Sequence, residues 1–282
     1  MKWSGCSNPR VGLSAPASGR RVWLWLLLAL LTAGELAAEP ARPLLRVGYV
    51  EFPPFEYRDA NGQPAGRFVD LTRQVAEEAG YQLEFVYLPI SRAYFSLVNG
   101  SIDVWPGMTH IPALNDAVVA SRSQPMQSQL SVWSLKIHPP LTQFSDLKGK
   151  TLILISGYTY GGLREILSQD ADIRITEAPN HEAALNMLGR GRGTHLLDYT
   201  HPVAELLETQ PIARLRESPL RIRQGAWLVS RQRDDALAIR DAFDAAYQRL
   251  LEQGKVAPPP GLSGFRALPG YPLAAEEEQK QH

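Results

Sequence analysis

The feature that most constrains the fold is a repeated alternation of short apolar strands with amphipathic helices. The stretch "LLRVGYV" predicts a strand, "DLTRQVAEEAG" a helix with Asp70 as N-cap and Gly80 as its stop, and "YQLEFVYL" a second strand. The helix "SRAYFSLVNG" and the strand "IDVW" complete a βαβαβ series, and a second series runs from "TLILISG" to "THLLDY". Such series form parallel sheets, so the sequence predicts an α/β protein with two Rossmann-like lobes.

Two extended segments, "SQLSVWSLKI" and "LRIRQGAWLVS", connect the two series. Both are polar and β-branched enough to be crossover strands, so we expect a two-strand hinge. The resulting boundaries place residues 44–134 with 231–256 in lobe 1 and residues 135–230 in lobe 2.

The last regular element is the segment "DDALAIRDAFDAAYQRLLEQG", which predicts an amphipathic helix that packs back on lobe 1. Its apolar positions, on or near one face, are Leu237, Phe243, Tyr247 and Leu250. Residues 257–282 are rich in proline and glycine and end in charge, so we expect a flexible, loosely attached tail.

Residues 1–38 have the pattern of a secretory signal peptide. Arg10, Arg20 and Arg21 precede the apolar run "VWLWLLLALLTA", and "ELAAEP" offers small residues for cleavage near Ala38. An uncleaved anchor and a twin-arginine signal are the alternatives. The favoured interpretation is export to the periplasm with cleavage.

Composition excludes several classes of site. The single cysteine, Cys6, lies ahead of the apolar run, so a chain cleaved near Ala38 has neither disulfides nor thiolate ligands. Without residues 1–38 the chain carries 25 basic and 28 acidic residues. This near-neutral balance argues against nucleic acid as a partner.

The loop "EFPPFEY" interrupts a strand with two prolines between aromatic rings. In open α/β sheets, ligands bind beyond the carboxyl ends of strands, where this loop lies. Prolines hold such a turn stiff, so Phe52 and Phe55, together with Tyr57, are candidates to line a ligand cleft. The alternative is that the phenylalanines belong to the core.

The motif "ISGYTYGG" follows an apolar strand and precedes a helix, so its backbone donors would converge at a helix N-terminus. The candidate binding residues are Ser156, Gly157, Tyr158, Thr159 and Tyr160. A carboxylate or another anion would be well placed here, and a purely structural turn is the alternative. A nucleotide phosphate loop is excluded because no Gly-Lys-Ser/Thr follows.

In their order and spacing, four segments resemble periplasmic solute-binding proteins of the amino-acid type, extracellular solute-binding family 3. The segments are "LRVGYVEFPPFEYRDANGQPAGRFVDL", "LVNGSIDVWPGMT", "DLKGKTLILISGYTYG" and "EAALNMLGRGRGTHLLDY". The resemblance implies the type II periplasmic binding protein fold, a monomeric clamp that closes on a small solute and delivers it to an ABC-type permease. It implies no cofactor.

The resemblance also implies a role for the end of the strand "THLLDY". Family members that carry an aspartate there commonly pair it with the ligand's amino group, and Asp198 matches that position to within one residue, with Tyr199 beside it. The alternative for Asp198 is an N-cap for the following helix.

One departure from the family concerns the ligand's carboxylate. Amino-acid binders usually carry an arginine shortly after a "GMT" segment, whereas this chain has Leu114 and Asn115 near that position. Arg92, at a helix start, is the candidate replacement, with a solvated arginine as the alternative. Trp105 and Thr109 fall in the same neighbourhood.

No metal site is expected, because His110 has no second ligand at a metal-binding spacing. An enzyme remains an alternative, since a few relatives of this fold are dehydratases that use a carboxylate in the cleft. Glu51, Glu56 and Asp198 are the candidates for that role. Another alternative is a sensor module that signals to a membrane receptor. A solute-binding protein, and not an enzyme, is the favoured interpretation.

Overall fold

The structure is a computed structural model that describes residues 42–259 and 267–272, together with Met1, Gly5, Gly12 and Phe265. The predicted signal peptide and its cleavage site lie outside the described residues. Within the described chain, no helix combines the length and the apolar character that a membrane crossing requires.

Strands and helices alternate in the predicted order. The strands are β1 (Leu44–Tyr49), β2 (Tyr57–Arg58), β3 (Pro64–Ala65), β4 (Gln82–Tyr87), β5 (Val104–Met108), β6 (Val118–Ala120), β7 (Met126–Leu135), β8 (Thr151–Ile155), β9 (Arg174–Ala178), β10 (His195–Tyr199) and β11 (Leu215–Ser230). The helices are α1 (Arg67–Glu78), α2 (Ile90–Val98), α3 (Leu163–Gln169), α4 (His181–Gly189), α5 (Thr200–Thr209) and α6 (Ala236–Glu252).

One sheet in the described chain contains every strand except the β2–β3 hairpin. Its order is β4-β1-β5-β11-β7-β10-β8-β9, with β6 also paired to β11. Strand β1 is parallel to β4 and β5, while β8 is parallel to β9 and β10. These two parallel groups, joined through β7 and β11, confirm the predicted α/β fold class.

The two groups are joined by the antiparallel pair β7–β11, whose register runs from Leu215 opposite Leu135 to Gly225 opposite Met126. The end of β11 then pairs with β5 and β6. We refer to β1–β6 with α1, α2 and α6 as the first lobe, and to β8–β10 with α3–α5 as the second lobe. From Arg42 onward, the two lobes form one compact unit.

Two details of the helices differ from the sequence-based expectations. Helix α1 begins at Arg67 after Gly66, so Asp70 lies in the first turn and is not the N-cap. Gly66 has a φ of 116°, and a Cβ there would lie 2.3 Å from the carbonyl oxygen of Phe55, so only glycine fits this helix start. In α6, Phe243 is buried as expected. Leu237, which was expected on the same apolar face, is 54% exposed because Leu237 lies on the solvent face of the first turn.

The segment 267–272 is packed against the second-lobe part of the chain, which differs from the expected loose attachment. Leu268 and Tyr271 are buried, and the Phe144 N–H donates a hydrogen bond to the carbonyl oxygen of Pro269 at 2.7 Å. The Tyr271 ring contacts the Phe144 ring edge-on at 5.7 Å, and the Arg221 guanidinium lies over Tyr271. Apolar burial and ring contacts therefore anchor a segment that composition alone describes as polar and proline-rich.

We expect Tyr271→Ala to lower the free energy of unfolding by about 1–3 kcal/mol, because it removes a buried ring together with its edge-on contact. Urea denaturation of the full chain measures the change. The control is Phe95→Ala, since Phe95 is 56% exposed on α2 and its loss should change stability by less than about 0.5 kcal/mol. Equal effects of the two substitutions would contradict the docking of this segment.

Candidate functional site

An outer cavity of about 660 Å³ lies where the carboxyl ends of strands from both lobes meet. The first lobe contributes Tyr87 at the end of β4 and residues that follow β1 and β4, including Glu51, Arg58 and Ser91. The second lobe contributes residues that follow β8 and β9, including Ser156, Gly157, Tyr158, Asn180 and His181. A pocket of this size at this edge of an α/β sheet can hold a small organic solute.

Beneath the outer cavity, six aromatic side chains pack into what we call the inner cluster. They are Phe52, Tyr94, Trp105, Tyr158, Tyr160 and Tyr199, all buried. Phe52 contacts Tyr199 edge-on at 5.1 Å across the two lobes, and Tyr94 contacts Trp105 at 5.5 Å within the first lobe. The space left among these side chains is about 20 Å³, so the rings fill the centre of the cleft.

The carboxylate of Asp198 is fully buried and is satisfied by the protein itself. Both of its oxygens lie 2.9 Å from Nδ1 of His181, and Oδ1 also accepts the backbone N–H of Tyr199 at 2.7 Å. Nε2 of His181 lies 3.1 Å from the Tyr158 hydroxyl, which in turn lies 3.4 Å from the carbonyl oxygen of Glu51. Hydrogen bonds therefore connect the second lobe to the first.

A second buried carboxyl, Glu56, borders the inner cluster. It accepts hydrogen bonds from the Trp105 indole N–H at 3.3 Å and the Val50 N–H at 3.4 Å. Burial raises the pKa of Glu56 well above its usual range, because these two long hydrogen bonds only partly offset the loss of hydration, and the charge of Glu51 adds to the rise. Burial also raises the pKa of Tyr158 and of Tyr160.

Arg223 is a buried cation that the sequence analysis missed. It extends from β11, and its Nη2 donates to the carbonyl oxygen of Thr109 at 2.6 Å. A Cβ on Gly161 would lie 1.8 Å from Nη1 of Arg223, so the absence of a side chain there admits the guanidinium between the lobes. Because the hinge strand supplies this arginine, the spacing after "GMT" gives no signal for it.

The predicted site residues divide between these places. Ser156 and Gly157 line the outer cavity, and Phe52, Trp105, Tyr160 and Tyr199 belong to the inner cluster. Tyr158 belongs to the inner cluster and also lines the outer cavity. Thr159 is half-buried and lines neither. The N-cap alternative for Asp198 is not observed, since no side-chain bond caps α5.

Three other predicted residues lie elsewhere. Phe55 lines a separate cavity of about 450 Å³, where it contacts His201 at 4.9 Å. Thr109 is buried and bonds to the carbonyl oxygen of Gln224 and to His110. Arg92 lies over Phe95 on the exposed face of α2, so it does not face the cleft as expected. Ser91, one position earlier on the helix, takes that place.

The candidates for the enzyme alternative are also separated. Glu51 lines the outer cavity, while Glu56 borders the filled inner cluster and Asp198 is enclosed by its own partners. Among the described residues, no cluster of three or more histidine, cysteine or acidic side chains could hold a metal ion.

A sequence model of bacterial extracellular solute-binding proteins, family 3, matches residues 45–258. The chain therefore belongs to this family, which confirms the resemblance noted in the sequence. Family membership supports a solute-binding role and an extracytoplasmic setting.

Solved structures with the same fold include sensor and transport proteins. A histidine kinase sensor domain with similarity to periplasmic binding proteins has a TM-score of 0.65 and 23% identity, covering 76% of this chain and 92% of that one. An ancestral arginine-binding protein bound to arginine has a TM-score of 0.64 and 22% identity, covering 76% and 95%.

A third similar structure is an ABC uptake transporter substrate-binding protein from Streptococcus pneumoniae with bound histidine. Its TM-score is 0.63 at 20% identity, and the match covers 75% of this chain and 88% of that one. At these identities the likeness establishes the fold alone.

The raised pKa of Glu56 predicts a specific pH dependence of stability. A carboxyl whose pKa is higher in the folded than in the unfolded protein favours folding when protonated. Its contribution is complete below the unfolded pKa of about 4.5 and is lost as the pH rises toward the folded pKa. We expect Glu56→Gln to flatten the fall in stability above pH 4.5 by up to about 1.4 kcal/mol per pH unit.

Urea denaturation between pH 4.5 and pH 8 tests this expectation. Carboxyl groups with a lowered pKa, such as Asp103, change stability with pH in the opposite direction. They are present in both the wild type and the Glu56→Gln variant, so their effect cancels when the two pH profiles are subtracted. Glu84→Gln, which replaces an exposed carboxylate, is the control. Parallel pH profiles for the Glu56→Gln variant and the wild type would contradict the assignment.

Proposed function

We propose that the protein is a periplasmic solute-binding protein that captures a small polar solute between its lobes and delivers it to an ABC-type permease. The observation that carries this proposal is the outer cavity, whose walls come from both lobes. A solute that contacts both walls favours the closed form over the open one by its differential affinity. An amino acid or a related carboxylated compound is the proposed class, as in the similar structures with bound arginine and histidine.

The proposal includes a revised division of the chain. Strand β7 pairs with β10 over residues 130–134 and with β11 from Met126 onward, and β11 reaches β5 from Gly225. These pairings support lobe boundaries near Met126 and Gly225. The revised boundaries lie nearer the start of β7 and of β11 than the sequence-based boundaries at 134/135 and 230/231.

A sensor module is the second candidate, with a membrane receptor in place of the permease. One observation favours it, the similar histidine kinase sensor domain. In either case we propose a monomer that has no nucleic-acid partner, that needs no cofactor and that reaches the periplasm by a cleaved signal peptide at residues 1–38.

A thermal-shift screen of the full chain tests solute binding. The panel comprises amino acids, small organic acids, polyamines and short peptides. A solute present at a hundredfold excess over its Kd should stabilise the protein by about 2.7 kcal/mol, which raises Tm by several degrees. No shift with any of these classes would contradict the proposal.

Two further measurements separate the alternatives. A bound compound that is recovered with unchanged mass after incubation identifies a binding protein, whereas a dehydrated product would support the alternative of a dehydratase. Small-angle scattering should show a smaller radius of gyration with the solute than without it. An unchanged radius with a solute that binds would contradict clamp closure.

A further inference from the structure

Asp198, which the family resemblance pairs with a ligand amino group, already has a partner within this chain. His181 Nδ1 lies 2.9 Å from both Asp198 oxygens. The inner cluster leaves about 20 Å³, which is room for about one water molecule. In this closed arrangement, a solute must therefore bind outside the inner cluster.

The outer cavity carries a guanidinium that is suited to a carboxylate. Arg58 lies over the Tyr87 ring at 3.8 Å, and both residues line the cavity. Among the described residues, Arg58 forms no ion pair with a carboxylate. Stacking occupies the face of a guanidinium and leaves its in-plane N–H groups directed sideways, in the geometry that binds a carboxylate with two parallel hydrogen bonds.

A carboxyl group lines the same cavity. Glu51 lies on the loop after β1, seven positions before Arg58, and the described residues give it no ion-pair partner. Burial raises the pKa of Glu51, and the hydrogen bond from the Arg58 backbone N–H and the charge of Arg58 offset this rise only in part. An ammonium group on the solute would add a positive charge beside this carboxylate and would favour its ionised form.

The second lobe presents mainly neutral groups to the same space. Ser156 and Asn180 offer side-chain donors and acceptors, while Tyr158 and Leu206 add apolar surface. The Glu182 carboxylate there already accepts a hydrogen bond from Gln210 Nε2 at 2.9 Å. The charged side chains that line the cavity without an ion-pair partner among the described residues are therefore Arg58 and Glu51 on the first lobe and Glu182 on the second.

We propose that the outer cavity binds a zwitterion of about dipeptide size, with its carboxylate on Arg58 and its ammonium on Glu51. The size follows from the volume of about 660 Å³, which falls within the ~300–1,000 Å³ of pockets for ligands larger than one amino acid. This inference rests on the proposed solute-binding function and specifies the residues that hold the solute and the class of solute.

Calorimetric titration of the full chain tests the inference. The probes are unblocked dipeptides, the same dipeptides with an N-acetyl or a C-terminal amide group, and free amino acids. We expect at least one unblocked dipeptide to bind, and either blocking group to weaken its binding at least tenfold, because each removes one charge-assisted bond.

Substitutions then locate the site. Arg58→Ala and Glu51→Gln should each weaken the bound dipeptide at least tenfold. Arg73→Ala is the matched control, because Arg73 also stacks on a ring, Phe85 at 4.9 Å, but lies outside the cavity. Tyr94→Phe is the control within the inner cluster. Neither control should change the affinity.

Two outcomes would overturn the inference while leaving solute binding intact. One is that only free amino acids or organic acids bind. The other is that binding survives Arg58→Ala and Glu51→Gln but is lost in Tyr94→Phe, which would place the solute in the inner cluster. Failure of every compound class in the thermal-shift screen would overturn the proposed function as well.

Discussion

Backbone pairing along β11 is the constraint on which the rest of the structure depends. Its first part pairs with β7, and its end pairs with β5 and β6, so one continuous strand belongs to both parallel groups. A strand satisfies its own N–H and C=O groups only in register with its neighbours. The register of β11 therefore fixes how the carboxyl ends of β1 and β8 face each other, and with them the walls of the outer cavity.

Aromatic packing gives the closed arrangement a stability of its own. Phe52 contacts both Tyr199 and His181 across the lobes, and each such ring pair contributes about 0.5–1.5 kcal/mol beyond its area burial. A ligand shifts an equilibrium only by the difference between its affinities for the two states. Contacts that the protein makes between its own lobes therefore lower the differential affinity that a solute must supply to favour this arrangement.

The strands and helices could be predicted because their signals are local. Apolar periodicity of 2 or 3.6 residues identified β1, β4, α1, α2 and α6 to within a few positions. The inner cluster could not be predicted, because Tyr94, Trp105 and Tyr199 come from three separate elements. Only tertiary packing brings these side chains into contact.

The directions of charged side chains could not be predicted for a related reason. Successive helix positions point about 100° apart, so an uncertainty of one residue turns Arg92 from the cleft to solvent and puts Ser91 in its place. The stacking of Arg58 on Tyr87 joins residues of two different strands. No spacing rule in the sequence relates them.

The docked segment after α6 has a consequence for how far the lobes can separate. Residues up to Pro259 line the cavity beside Phe55 and Arg67, and Leu268 is buried near Phe144 of the other part of the chain. Nine residue-to-residue steps lead from Pro259 to Leu268, and a fully extended chain spans at most about 3.3–3.6 Å per residue. While both ends stay attached, the contour length of this connector sets an upper limit of about 30 Å on their separation, whatever the hinge strands allow.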